Sequence, residues 1–180
     1  METDAALAEK LRLENLRRSG IRIDREGRFI HEGQPVAHEG LRQALFRWLD
    51  RLPDGRYILR LDEKRHAFID VDDTPLVVGA LRVTDAGGGQ VTLALSDGAA
   101  ETLDPTTLTI DGAGVLRCLV RGGRLAARLS TSAAATLAEA DAVVETPTGP
   151  ALRLGPREFP IRFVAQRLQQ PDDHPGGGAA

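Results

Sequence analysis

The run LRCLVRGGRLAARLS, Leu116–Ser130, decides how this chain is read. Four arginines surround one Gly-Gly pair inside segments that otherwise alternate like buried strand. A Gly-Gly pair between alternating segments predicts a hairpin with a two-residue turn at Gly122-Gly123. The register follows from that turn. Arg121 falls opposite Arg124, Val120 opposite Leu125, Leu119 opposite Ala126, Cys118 opposite Ala127, and Arg117 opposite Arg128. Successive side chains leave a strand on opposite faces. One face is therefore wholly apolar: Leu116, Cys118, Val120, Leu125, Ala127 and Leu129. The other gathers Arg117, Arg121, Arg124 and Arg128 around Leu119 and Ala126.

Two readings of the charged face stay open. Like charges paired across a ladder cost a few tenths to about 1 kcal/mol per pair. Such pairs invite an anion, and guanidinium groups grip phosphate or carboxylate with paired hydrogen bonds. A helix starting after Ser130 would add its N-terminal amides to the same field. In the second reading the chain's own acids, Asp70, Asp72, Asp73, Glu101 and Asp104, cap the arginines, and those beside the turn are simply solvated.

Working outward, Ser130-Thr131-Ser132 offers an N-cap for an Ala-rich helix over about 132–140, followed by strands near 142–146, 151–154 and 158–164. Upstream, LVVGALRVT, QVTLALS and TLTI alternate as strands, separated by Gly87-Gly88-Gly89, Asp97-Gly98 and Asp111-Gly112 turns. IRIDREGRFIHEGQPV, residues 21–36, reads as a hairpin. Leu41, Ala44, Leu45, Trp48 and Leu49 form one helical stripe over 38–51. Strands at 56–61 and 65–71 follow. Residues 3–18 read as a first helix, and the tail from Pro171 reads as disordered. Residues 21–71 and 115–164 both run hairpin, helix, strands, an order that points to an internal duplication with two halves facing each other.

The 180 residues suit one domain or two small packed parts. A net charge of −3 argues against nucleic-acid binding, which needs a broad basic surface. The acidic, amphipathic start METDAALAEK has neither the basic region nor the apolar stretch of a signal peptide, and no apolar run reaches the roughly 20 residues of a membrane helix. With a single cysteine, Cys118, no intramolecular disulfide forms. These features set the expectation of a cytoplasmic protein.

No catalytic motif is visible, so the expectation is a non-enzyme without cofactor or metal. His31-Glu32 and His38-Glu39 lack the helical spacing of a zinc protease, and His31 should share a half-buried face with Phe29. Asp70 and Asp72 share a strand face but lack the rest of a calcium loop. A metal-dependent hydrolase using Asp70, Asp72 and His31 is the least supported option, because no nucleophile–base pair accompanies them. Cys118 sits on the apolar face and reads as packing.

IDREGRFIHEGQPV (23–36), DEKRHAFIDVDDTPLVV (62–78) and LVRGGRLAARLS (119–130) together resemble the bacterial family known as domain of unknown function 1285, over roughly residues 21–165. The resemblance implies two packed α+β parts with an internal duplication, the second part like a partly open pleckstrin-homology barrel. It implies a nucleotide-like ligand near the interface between the parts, in a signalling role. Arg121, Arg128, Glu63, Lys64, His31 and Gly33 fit the family's pattern. Phe29 stands where a Trp is usual, Asp62 where a Pro is usual, and Thr131 where a basic residue often follows.

The expectation is then an α+β chain of two β-rich parts, each with a helix. It has an N-terminal helix at 1–19, a first part at 20–73, a second at 74–168 and a tail at 169–180. A phosphate-bearing small molecule would be held by Arg121, Arg124 and Arg128, with Lys64, Glu63 and His31 contributing from the first part. The alternative is a protein-interaction module with no small ligand, working through a groove or a sheet edge.

Overall fold

A computed structural model describes residues 17–84 and 89–165. The chain opens with β1 (Arg18–Ile23), which turns back through Asp24–Arg28 into β2 (Phe29–His31) and β3 (Gln34–Pro35). Helix α1 (Glu39–Trp48), β4 (Leu49–Arg51), β5 (Tyr57–Arg60) and β6 (His66–Val71) complete a six-stranded sheet ordered β3-β2-β1-β6-β5-β4. The predicted hairpin pairs as expected, Ile23 with Phe29 and Ile21 with His31, whereas β6 returns parallel to β1.

Helix α1 starts at His38, whose Nδ1 accepts the Leu41 amide. It stops at Trp48, short of the expected end at 51, because Leu49 turns extended and pairs with Leu59. Leu49 is buried as predicted, but by the sheet and not by a helical stripe, and Leu41 lies exposed.

The second half holds β7 (Leu76–Thr84), β8 (Gln90–Leu95), β9 (Ala100–Thr102), β10 (Thr109–Asp111), β11 (Leu116–Val120), β12 (Leu125–Leu129), α2 (Thr131–Glu139), β13 (Val143–Thr146), β14 (Gly149–Leu154), β15 (Arg157–Pro160) and β16 (Arg162–Val164). Seven of these strands form one sheet, β16-β10-β11-β12-β7-β8-β9, curled into a half-barrel. Strands β13, β14 and β15 make a separate three-stranded sheet. Ser130 caps α2 by accepting the Ala133 amide, and the buried Ala133 and Leu137 close the helix onto the half-barrel. The expected strand at 158–164 is two strands, broken at the buried Ile161.

The pairing pattern recurs. β1 pairs antiparallel with β2 and parallel with β6; β10 pairs antiparallel with β11 and parallel with β16. Each first strand ends in the same turn. Asp24 accepts the amides of Glu26 and Arg28, and Asp111 accepts those of Ala113 and Val115. Both turns close with a left-handed glycine, Gly27 and Gly114, each at φ 78. In this pairing pattern the counterpart of β1 is β10, which lies upstream of the 115–164 segment read from the sequence. The buried side chains of both halves, from Ile23 and Phe29 through Leu93 and Leu125 to Leu152, form one continuous core.

The expected N-terminal helix lies mostly outside the described residues; Arg18 and Ser19, its last positions, belong to β1. The tail also lies outside them. Among the described residues no helix is long and apolar enough to cross a membrane.

Candidate functional site

The arginine ribbon folds in the predicted register: Arg117 faces Arg128, Cys118 faces Ala127, and Val120 faces Leu125. Its apolar face is buried throughout. The ladder ends at Val120–Leu125, so the turn has four residues, Arg121–Arg124, in place of the expected two. Arg121, Gly122 and Gly123 are successively left-handed, at φ 52, 66 and 83. Glycine adopts that region without steric cost, which is why the pair sits there.

Apart from the largely exposed Arg124, the charged face is partly covered. It lies against the six-stranded layer, and each arginine meets a partner. Arg121 pairs with Asp97, donates to the Phe46 carbonyl at 2.9 Å, and gives its amide to Glu101 at 2.8 Å. The Asp97 side chain is only 4% exposed. Arg124 reaches Asp50 at 3.2 Å, where Arg60 already donates at 2.9 Å. Arg117 is shared between Asp111 at 2.6 Å and Asp73 at 2.8 Å. Arg128 touches Asp73 and the Arg25 carbonyl, both at 3.4 Å. The Tyr57 hydroxyl meets the Ala126 backbone between the arginines, and burial pushes its pKa up.

Of the two readings of the charged face, these contacts favour the one in which the chain's own acids meet the arginines. Arg121 and Arg124 bridge the two layers, and their guanidinium groups are engaged by Asp97 and Asp50. Asp73 and Glu101 act as the sequence allowed, but Asp50, Asp97 and Asp111 were missed. Asp97 and Asp111 each precede a glycine and look like ordinary turn residues; tertiary folding aims their carboxylates into the seam. Three donors, the Arg117 guanidinium foremost, hold the Asp111 carboxyl below the usual carboxylate range despite burial. Burial opposes ionisation at Asp24 too, but the amide and guanidinium of Arg28 outweigh it.

Beside Arg128 the seam opens into a cleft of about 530 Å³. Its charged wall holds Arg25, Arg117 and Arg128 with Asp72, Asp73 and Asp111. Val115 and Val164 add apolar lining. The two recurring turns border it, one through Arg25 and the other through Asp111 and Val115. Asp72 is taken by Arg22. Arg25 is exposed, and its side chain has no ion pair or hydrogen bond among the described residues.

Other predicted residues fall elsewhere. Glu63 and Lys64 sit at the tip of the β5–β6 turn, lining only a shallow depression made by that turn itself. His31 ends β2 in an exposed position, not the half-buried one expected, while Phe29 and Ile30 before it are both buried. Neither Lys64 nor His31 lines the cleft. No group of three or more His, Cys, Asp or Glu side chains among the described residues converges to hold a metal. Cys118 is buried, and burial pushes its thiol up to about 12, so it packs and does not react. A second cavity, about 250 Å³, lies across the Asp24–Arg28 turn, but its arginines, Arg28 and Arg42, already pair with acids.

This chain, a half-barrel packed on a six-stranded layer, shares its fold with two solved structures of DUF1285 family proteins. A DUF1285 family protein from Silicibacter pomeroyi DSS-3 superposes with a TM-score of 0.68 over 82% of this chain and 81% of its own, at 21% identity. Another, from Shewanella baltica OS155, gives a TM-score of 0.55 over 67% of this chain and 91% of its own, at 14% identity. These likenesses support the resemblance drawn from the sequence. No family model and no curated protein matches the chain.

Proposed function

We propose that this chain is a DUF1285 family protein, built by internal duplication, that acts as a ligand-binding sensor or adaptor and not as an enzyme. A phosphate-bearing, nucleotide-like small molecule occupies the seam cleft, with its phosphate between Arg25 and Arg128. One observation carries this reading: two arginines from opposite layers border one cleft with guanidinium donors still available. Among the described residues the Arg25 side chain has no partner, and both side-chain contacts of Arg128 exceed the 2.7–3.2 Å of a good N–H···O bond. The apolar lining at Val115 and Val164 suits a base or other ring. A ligand held from both layers biases their relative orientation, and that is the signalling step.

The test is a thermal-shift and calorimetric screen of nucleoside phosphates. At a hundredfold excess over the dissociation constant, stabilisation of about 2.7 kcal/mol is expected. R25A and R128A abolish the shift with the fold intact, and K64A leaves it unchanged. A flat screen sinks the reading and favours the protein-interaction module. That second reading has its own observation: β16 is an edge strand whose Phe163 is 70% exposed.

A further inference from the structure

The cleft contains a feature that simple anion binding does not need. Its three arginines face three aspartates, so it begins without net charge. Two of those aspartates are committed. Asp111 is 1% exposed and is consumed by two amides and Arg117; Asp72 is consumed by Arg22. Asp73 is different. Its Oδ1 accepts from Arg117, which Asp111 already neutralises, and its Oδ2 reaches toward Arg128 at 3.4 Å. Asp73 also lies on the short connection between β6 and β7, where the two layers join.

We infer that Asp73 is a built-in competitor for Arg128 that sets the cleft to accept doubly charged phosphate monoesters and to refuse singly charged diesters and carboxylates. This rests on the reading above. A guest with one negative charge replaces one carboxylate with another and gains little. A phosphate monoester carries about −1.5 to −2 at neutral pH and three acceptor oxygens, so it out-competes Asp73 for both Arg128 and Arg25. The carboxylate thus acts by repulsion against the wrong ligand, the usual way a charged site gains selectivity. Arg117 stays in place through Asp111 whichever guest is bound.

The probes are adenosine and guanosine 5′-monophosphates against their 3′,5′-cyclic monophosphates, titrated into the full chain by calorimetry. The unaltered protein is expected to bind each monoester at least about tenfold tighter than its cyclic diester, and D73N to gain about tenfold for the diesters, closing the gap. D73E keeps the charge and keeps the preference. If the unaltered protein binds monoester and diester alike, the filter is wrong although the cleft still binds nucleotides; this arm needs no variant and stands even if D73N misfolds. A folded D73N that gains nothing for the diesters overturns the filter in the same way. Silence of every probe against every protein overturns the ligand reading, and the filter with it.

Discussion

The two ends of the arginine ribbon carry the same residue type on the same face and do opposite work. At the turn end, Arg121 is held by a nearly buried aspartate, a helix-terminal carbonyl and, through its amide, a glutamate. At the far end, Arg128 has two long contacts and an open cleft beside it. Strand pairing put both on one surface, but pairing says nothing about what lies across the seam. A guanidinium cluster is evidence for a ligand only where the fold leaves donors over.

The largest effect expected from breaking this contrast is at the closed end. Arg121→Ala strands Asp97 as an unpaired charge with 4% exposure and frees the Phe46 carbonyl, so about 3–5 kcal/mol of stability is lost. Urea unfolding followed by circular dichroism reads it. A loss under 1 kcal/mol would show that water reaches Asp97 and that the end is not closed.

Much of this was legible in the chain. The ribbon register, both helices of the described region and the buried face of the ribbon follow from period-2 and period-3.6 apolar patterns. The partners of the arginines do not, because Asp97 and Asp50 lie 24 and 74 residues away from the side chains they meet. One signal was present and passed over. Ile23-Asp24-Arg25-Glu26-Gly27 and Ile110-Asp111-Gly112-Ala113-Gly114 share Ile-Asp-x-x-Gly, the chemistry of both recurring turns. Aligning those two runs matches the two turns, and the first of them carries Arg25, which borders the cleft. Lys64 entered the expected site through family likeness and not through geometry, and it does not line the cleft.

The recurring turns give the next effect. Asp111→Asn keeps an acceptor but removes the charge facing Arg117, and about 2 kcal/mol should go. The acid limb tests the same interaction. Asp111, Asp24 and Asp50 all have folded pKa values below their ordinary ones. Their contribution is complete above the unfolded value near 4 and disappears as pH falls through the lower folded values. Stability should therefore be level from about pH 7 to 5 and fall steeply below about 4, with D111N showing a shallower fall.

Arg124 sharpens the contrast from the middle. It is 61% exposed and shares Asp50 with Arg60, which holds that carboxylate without help. A double-mutant cycle of Arg124→Ala with Asp50→Asn should return a coupling of at most about 1 kcal/mol, as for other solvent-screened pairs. A larger coupling would make Arg124 a joint of the same rank as Arg121.

Arg128→Ala is expected to have the smallest effect on folding and the largest on binding. Its two polar contacts are at 3.4 Å, and Asp73 keeps Arg117 at 2.8 Å when Arg128 is removed, so no buried charge is stranded. The stability loss should stay near 0.5 kcal/mol or below, most of it packing of the aliphatic stem. The response to nucleoside monophosphates, by contrast, should vanish. A residue that only joined the layers would show the reverse ordering, stability falling with no ligand response to lose, and Arg121 is the internal standard for that outcome. Measuring both variants side by side separates an arginine the fold consumes from one it leaves available.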